Sequence, residues 1–323
     1  MIQRKQQRGA ALLIVLLLAA TLSFVALSAM ESTTLSAART SNVNMRGEAL
    51  WRAEAIEALT LAAIDEIASP ASSAKMSLDD PWAVEPIELP FDGGAARVFL
   101  GDGTACFNVT SLSQTYGEPA WEQATAEFIR LAGFLGLSNF EAAALAETIG
   151  DWIDEDTNRR PQGGEDEYYT ARPSPYRAGN QPMASMSELR AVKGVTRELY
   201  GSLKPFLCSL GGPEHSVVNV NMLSERHAPV LAAMLGDDMS VQGAADIIAA
   251  RPPGGWVDVA SFMATPAVKS ISGLSGDRFS ITSRFLIARA EIVYDTALVE
   301  MTSLVETGGN GARVLSRRLG AEE

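Results

Sequence analysis

Cysteine and histidine are scarce in this chain of 323 residues, with two of each: Cys106, Cys208, His215 and His227. A Cys/His zinc cluster would use all four of them, and none of the four lies in the close pairs that such clusters use, so we do not expect structural zinc. Basic residues are also in the minority, since 26 Lys and Arg face 39 Asp and Glu, for a net charge of −13 at pH 7. Because a surface of that sign repels phosphate backbones, nucleic acid is not an expected partner.

Motifs for catalysis are lacking as well. Neither histidine lies in a nucleophile motif such as Gly-x-Ser-x-Gly, and the sequence has no glycine loop of the kind that binds phosphates. The one dense acidic segment holds five or more acids close together, which suits a cation better than it suits the tuning of a single proton. We therefore do not predict an enzyme.

An uncharged apolar stretch stands near the N-terminus. Residues 10–30 carry no charged side chain, and a helix needs roughly 20 such residues to cross about 30 Å of hydrocarbon. Residues 1–9 hold Arg4, Lys5 and Arg8 and no acid, whereas the acidic bulk of the chain follows the stretch. The positive-inside rule then places the short tail in the cytoplasm and the rest of the chain on the other side.

The helix is predicted to continue beyond the membrane. In residues 31–68, apolar side chains recur at steps of three and four, as in an amphipathic helix. Five of them form what we call the seam: Leu35, Ala38, Met45, Ala49 and Ile56. A helix over residues 10–68 would be roughly 90 Å long, half in lipid and half packed against something in the aqueous phase. The alternative is a cleaved secretory signal with small residues at 26–28, but the stretch is long for one and no helix breaker follows it.

The N-terminal pattern resembles that of the type IV pilin-like proteins. A short basic leader ends in Arg8-Gly9, and an uncharged helix starts at once with Ala10. In that family a prepilin peptidase cleaves after the glycine and methylates the new N-terminus, which implies processing after Gly9 and methylation of Ala10. The chain departs from the family at Ile14, where most pilins carry a glutamate that pairs with the terminal amine of a neighbouring subunit. A subunit without that carboxylate is tolerable at the end of a filament.

This departure and the large head are similar to those of the K-type minor pseudopilins of the type II secretion system. The resemblance implies a single-pass protein of the inner membrane with a cytoplasmic N-terminus and a periplasmic head. It would cap the tip of the pseudopilus and help initiate its assembly for export of folded proteins. Implied partners are the I-type and J-type minor pseudopilins, the major pseudopilin, the inner-membrane assembly platform and the prepilin peptidase. The alternative is a membrane-anchored periplasmic module that binds calcium or another ligand and has no filament role.

For the head we predict an α+β fold, a pilin-like antiparallel sheet interrupted by a large helical insertion. Residues 69–110 form a proline-rich connector and the first strands, with a hairpin over 97–109 that turns at 101–103. Residues 111–278 form the insertion. Residues 279–323 return to the sheet, with strands predicted in the alternating stretch after Phe279, in 292–301 and in 312–319.

The insertion is predicted to contain a duplicated unit. The hexapeptide at 108–113, NVTSLS, recurs as NVNMLS at 219–224, which suggests repeat units at about 108–210 and 219–278. Residues 186–207 are similar to a helix-hairpin-helix of the SAM-like class, two short helices about a Lys-Gly-Val turn, and 258–274 is a looser copy. Because the head is acidic, we expect these units to serve packing and not the binding of nucleic acid.

The acidic segment 151–167 is the candidate metal site. Asp154, Asp156, Asn158 and Glu165 fall at positions 1, 3, 5 and 12 of an EF-hand count, and Asp166 adds a further carboxylate. Position 6 is Arg159 where the loop needs glycine, so a different loop path with the same carboxylates, or a solvated acidic loop, are alternatives. Asp-Trp-Ile-Asp followed by Gly-Gly-Glu-Asp resembles the K-type pseudopilins, and this resemblance favours Ca²⁺ as the cofactor.

The resemblance also bears on the two cysteines. A periplasmic head lies in an oxidising compartment, so we predict a disulfide between Cys106 and Cys208 that closes a long loop and stabilises the head. Two separately buried thiols are the alternative, because spacing alone does not bring the two Cα atoms together.

The N-terminal pattern makes the first testable prediction. Gly9→Val should leave the full-length chain in the membrane and stop secretion, because the glycine would precede the scissile bond. N-terminal sequencing of membrane-extracted protein, from cells with and without a prepilin peptidase, measures the cleavage. Normal processing of the variant, or cleavage of the wild type near residue 28, would contradict the pilin-like interpretation.

Overall fold

The computed structural model describes residues 3–69, 75–114, 117–212, 217–309 and 311–320, with side chains described from Ala10 onward. The helices are α1 (Gln3–Ala68), α2 (Pro81–Val84), α3 (Glu118–Phe134), α4 (Asn139–Ile153), α5 (Asp166–Thr170), α6 (Arg197–Leu203), α7 (Ala228–Leu235), α8 (Val241–Ala249), α9 (Val259–Met263) and α10 (Pro266–Lys269). The strands are β1 (Ile87–Phe91), β2 (Gly94–Asp102), β3 (Phe107–Asn108), β4 (Leu207–Cys208), β5 (Val218–Asn219), β6 (Phe279–Ser280), β7 (Phe285–Tyr294), β8 (Ala297–Glu306) and β9 (Arg313–Leu319).

Helix α1 runs without a break from Gln3 to Ala68, so the predicted continuous helix is confirmed. Within the described part of the chain, it is the one helix whose length and apolar composition suit a membrane span. Gly9 lies on its backbone, but the side chains before Ala10 are outside the described part. Residues 10–44 are exposed along their whole length.

The sheet is antiparallel with strand order β1-β2-β7-β8-β9. Strands of the sheet lie on both sides of the insertion, as predicted, with two before it and three after it. The predicted hairpin over 97–109 is wrong, because β2 stays in the sheet to Asp102 and the chain turns earlier, between β1 and β2. Gly93 (φ +80°) makes that turn. Pro90 is accepted in β1 because β1 is an edge strand, so the proline-rich connector is shorter than predicted.

The strands after the insertion also differ from the prediction. Residues 292–301 are the end of β7 and the start of β8, joined through Asp295 at φ 51°. Phe279 does not belong to the large sheet, because β6 pairs with β5 in a separate parallel bridge. The alternation of apolar residues across 279–287 therefore covers parts of two strands, β6 and β7, that belong to different sheets.

The insertion consists of two helical units, but it is not wholly helical as predicted, because a short parallel strand pair closes each unit. In the first, β3 pairs with β4, and Cys106 and Cys208 are joined by a disulfide with their Cα atoms 5.8 Å apart. In the second, β5 pairs with β6. The repeated asparagines occupy similar positions, since Asn108 Oδ1 accepts from Thr110 N and Asn219 Oδ1 accepts from Asn221 N. Short helical elements flank Gly194, a residue with φ +84°; the SAM-like assignment stays a prediction.

The aqueous half of α1 packs on the chain's own sheet. Ala49, Ala53, Ile56 and Ile64 are buried against strands β2, β7 and β8. This corrects the seam, because Ala49 and Ile56 are covered within the chain and are not available to a partner helix. Of the five seam residues, Leu35 and Ala38 are exposed and Met45 is half-buried.

A buried carboxylate anchors this contact. Glu57 on α1 accepts hydrogen bonds from Ser303 Oγ of β8 (2.6 Å) and from Arg317 Nε of β9 (2.9 Å). Burial alone would raise the pKa of Glu57, but the hydrogen bonds from Arg317 and Ser303 and the charge of Arg317 outweigh it and lower that pKa. The ionised form is thus the one that ties α1 to the far edge of the sheet.

Glu57→Gln should lower the free energy of unfolding at pH 7 by about 2 kcal/mol, the usual worth of hydrogen bonds to a charged group. Because the folded pKa lies below the ordinary value of 4.5, the stabilisation is complete above that value and is lost as the pH falls through the folded pKa. Denaturant unfolding of the detergent-solubilised chain at pH 7 and pH 3 measures it. An equal difference between wild type and variant at both pH values would contradict the role of the ionised pair.

Candidate metal centre

The acidic loop lies between the end of α4 at Ile153 and the start of α5 at Asp166. Aromatic packing holds its two ends together, because Trp152 contacts the ring of Tyr169 edge-on with 5.1 Å between ring centroids and both side chains are buried. Carboxylate oxygens of Asp154, Asp156 and Glu165 all come within 4.8 Å of one another. We call these three residues the metal cluster.

The path of the loop is set by contacts that the sequence analysis did not identify. Lys193 Nζ donates to the carbonyl oxygens of Gln162 (2.9 Å) and Gly163 (2.8 Å). A Cβ atom on Gly163 would lie 1.9 Å from Asp151 Oδ2, so only glycine fits where the loop passes the end of α4. These contacts bring Glu165 back towards Asp154.

Arg160 supplies an internal positive charge to the loop. Its Nη1 donates to Asp151 Oδ1 (2.7 Å), and its Nη2 lies 2.9 Å from Asp154 Oδ2. The backbone N–H of Arg160 also donates to Asp151 Oδ2 (3.1 Å). Asp151 is thereby satisfied, whereas Asp154 has only one oxygen engaged. An arginine among acids in the sequence was the available signal for this ion pair.

The remaining oxygens of the metal cluster lack partners. Asp154 Oδ1 and both carboxylate oxygens of Glu165 are buried and receive no hydrogen bond from any residue in the described ranges. Both residues are 4% exposed. A buried carboxylate with no donor is costly, and the usual remedies are protonation or a bound cation.

The electrostatics of the loop agree with that view. Burial raises the pKa of Glu165 to about 7, and the charges of Asp151, Asp154 and Asp156 push in the same direction. Burial also raises the pKa of Asp154 to about 6, with Arg160 opposing and the neighbouring acids assisting the rise. At Asp154, burial and the repulsion between carboxylates together outweigh the attraction of Arg160. A divalent cation would remove this repulsion.

The donor set fits a hard cation. The metal cluster offers oxygen atoms from three carboxylates, Asp156 is exposed and gives access from solvent, and oxygen ligands are those that Ca²⁺ takes. No sulfur or imidazole is present in it to favour zinc or copper. Should an ion bind, Asp154, Asp156 and Glu165 would hold it and Arg160 would stay beside it.

The other two predicted ligands are Asn158 and Asp166. Asn158 is exposed, and its backbone N–H donates to Asp156 Oδ1 (2.7 Å). Asp166 is not in the metal cluster; its Oδ1 accepts from Ala178 N (2.9 Å) and its Oδ2 faces Arg177. The role of Asn158 as a ligand stays a prediction, and Asp166 has other partners.

Comparison with known proteins places the chain in a family. Models described as "Type II secretion system (T2SS), protein K" match residues 105–212 and 218–282, together more than half of the chain. Type II secretion system protein K of Klebsiella pneumoniae is 31% identical over 98% of this chain and 97% of the relative. The corresponding protein of Pectobacterium carotovorum subsp. carotovorum is 30% identical over 98% of both chains.

A solved structure agrees. A chain in the crystal structure of the GspK-GspI-GspJ complex from the type 2 secretion system of enterotoxigenic Escherichia coli superposes with a TM-score of 0.76 and 29% identity, over 88% of this chain and 100% of that one. Sequence and fold thus agree over nearly the whole length. The chain belongs to the protein K family of the type II secretion system, whose members are minor pseudopilins.

Proposed function

We propose that this chain caps the tip of the periplasmic pseudopilus and helps to initiate its assembly for the export of folded proteins. The observation that carries the proposal is the division of α1. Residues 10–44 are exposed on every side, whereas from Ala49 onward one face of the helix is buried on the sheet. The stretch 10–30 suits lipid, but the following turns of exposed helix need cover in the aqueous phase. Helices of other pseudopilins would supply it.

The partners proposed for these turns are the I-type and J-type minor pseudopilins. The GspK-GspI-GspJ complex of Escherichia coli supports this choice, because its matching chain has the same fold. Beyond the span at 10–30, four large apolar side chains of α1 are exposed and would contribute contacts: Leu35 (52% exposed), Val43 (70%), Trp51 (73%) and Leu59 (56%). Exposed apolar side chains along one helix are typical of surfaces that bind another helix.

Ile14 and the size of the head support a position at the tip. An intramembrane carboxylate is kept only where it has a partner, and a subunit with Ile14 cannot form the pairing that docks an interior subunit. The helical insertion between β2 and β7 enlarges the head beyond what a helical filament body has room for. Both features favour a position at the end of the filament, where the subunit has a neighbour on one side only.

The remaining parts of the proposal concern processing and place. Cleavage by the prepilin peptidase after Gly9 and methylation of Ala10 would precede assembly on the inner-membrane platform above the major pseudopilin. The tail before the span would lie in the cytoplasm and the head in the periplasm, as the basic leader and acidic head favour. The role is structural, without a catalytic step.

Calcium binding by the metal cluster is the second part of the proposed function. The unpartnered oxygens of Asp154 and Glu165 support it. A bound ion would stabilise the helical units by mass action, since it binds the folded chain and finds no assembled site in the unfolded one.

The tip position predicts at most one copy of this chain per filament. A label on the head of this chain in isolated pseudopili gives the number and the position of its copies. The labelled major pseudopilin is the control for the shaft. Ile14→Glu should be tolerated in the membrane and leave the copy number unchanged, because the bulk of the head is a second barrier. Labels distributed along the shaft would overturn the proposal.

Calcium binding predicts a thermal shift. The full chain in detergent should melt at a higher temperature with millimolar Ca²⁺ than with a chelator. Asp154→Ala combined with Asp156→Ala should abolish this difference, whereas Asp166→Ala, outside the metal cluster, should retain it. If the double variant keeps the shift, the ligands lie elsewhere.

A further inference from the structure

Arg52 lies on a flank of α1, beside the stripe that packs on the sheet, and it is half-buried. Its guanidinium carbon stands over two aromatic rings, 4.3 Å from the ring centroid of Tyr294 and 5.0 Å from that of Phe91. A guanidinium held by aromatic faces is attracted to them and keeps its N–H donors for another group. We call these three residues the arginine clamp.

Two adjacent turns of the sheet hold the rings in place. Phe91, Gly94 and Tyr294 lie in one row across β1, β2 and β7. A Cβ atom on Gly94 would lie 2.8 Å from the ring of Phe91. One on Gly93 would lie 2.8 Å from the ring of Tyr294, so each ring fills space that a glycine leaves. Asp295 N donates to Gly93 O (3.0 Å) and joins the two turns, so the arginine clamp is fixed before a partner arrives.

The charge of Arg52 has no partner within the described part of the chain. Arg52 forms no ion pair there, and its Nε atom is buried and donates no hydrogen bond. Arg97 of the same sheet, by contrast, pairs with Glu291 (2.6 Å). Glu48 precedes Arg52 by one helical turn, a spacing at which ion pairs form on helices, yet it does not engage it. A guanidinium that is held in place and unpaired is prepared for an anion from outside the chain.

The height of Arg52 above the membrane decides which anion can reach it. Along the continuous helix, Arg52 lies about 33 Å beyond Met30, the end of the apolar stretch, at 1.5 Å per residue. The headgroup layer extends only about 5–8 Å beyond the hydrocarbon. Lipid phosphate is therefore out of reach, and a carboxylate of another protein is the anion that this position favours.

The same flank of α1 carries apolar neighbours on both sides of the charge. Met45 and Leu59 lie seven residues before and after Arg52. Met45 is half-buried, and Leu59 is exposed. A spacing of seven keeps the three side chains in one line, as in the contact between two helices. The partner that fits this line is a helix with one acidic residue between apolar ones.

We propose that Arg52 binds an aspartate or glutamate on the helix of the adjoining subunit in the filament. The inference rests on the proposed assembly with other pseudopilins and adds the contact that fixes its register. Apolar contacts between helices are non-directional and tolerate sliding, whereas one desolvated ion pair forms at a single axial offset. A carboxylate that accepts from two guanidinium nitrogens at once also fixes the orientation of the partner.

The test titrates the labelled full chain in detergent with the purified I-type and J-type pseudopilins of the same system. Arg52→Gln should raise the dissociation constant at least about tenfold, because it leaves the partner's carboxylate buried and unpaired. Arg46→Gln, at an exposed arginine of α1 outside the arginine clamp, is the matched control and should bind as the wild type does. Each acid of the partner helices is then changed to its amide. One of these changes should weaken binding to the wild type and cost nothing further with Arg52→Gln.

Other results would contradict the proposal in ways that can be told apart. If Arg52→Gln lowers the melting temperature of the chain but binds both partners with wild-type affinity, Arg52 serves the head alone. If Arg52→Gln weakens binding and no partner acid is coupled to it, the anion is not a carboxylate of those helices. In both cases the proposed assembly stands. If the wild type does not bind the two pseudopilins, the proposed assembly and the role of Arg52 fall together.

Discussion

The packing of one stripe of α1 against the five-stranded sheet is the contact on which the rest of the structure depends. Ala49, Ile56 and Ile64 are nearly inaccessible there, and Glu57 bonds with Ser303 and Arg317 in the same interface. Small side chains on α1 let the helix approach the strands closely, and the apolar area buried supplies the free energy. Through this contact a helix with an exposed N-terminal half is held rigidly to a folded head, so a force on one is transmitted to the other.

The metal cluster shows a second constraint, the excess of negative charge in a confined loop. Arg160 engages Asp151 with its side chain and backbone and Asp154 with one nitrogen. Both oxygens of Glu165 lack a hydrogen-bond partner in the described part of the chain. Helices α4 and α5 meet at this loop through the contact of Trp152 with Tyr169, so relief of the repulsion by a cation would tighten both ends of the loop together.

Much of the fold could be predicted from sequence because the spacing of apolar residues indicates helices and strands locally. The long helix, and strands on both sides of a helical insertion, follow from apolar spacing. The hairpin was misplaced because Gly101-Asp102-Gly103 resembles a turn, while the Asp-Gly pair at 92–93 carried the better signal. The predicted seam was wrong at Ala49 and Ile56, because an apolar stripe on a helix shows that another element covers it but does not identify that element. An arginine among acids signals an ion pair, but the choice of Asp151 and Asp154 as the partners of Arg160 depends on the tertiary fold and could not be predicted.

The two ends of the insertion lie next to each other in the sheet. Strand β2 ends at Asp102 and β7 begins at Phe285, and these strands are neighbours whose register continues to the pair Asp102 and Leu286. Gly103 N donates to Phe285 O (2.8 Å), so the chain leaves the sheet and re-enters it at one point. The helical units are joined to the sheet through these two neighbouring strands, and the connector before β1 also bonds with the second unit, where Met76 N donates to Ile281 O (2.7 Å). A short turn between β2 and β7 would leave every strand pairing of the sheet unchanged, so the sheet does not need the insertion in order to form its strand order.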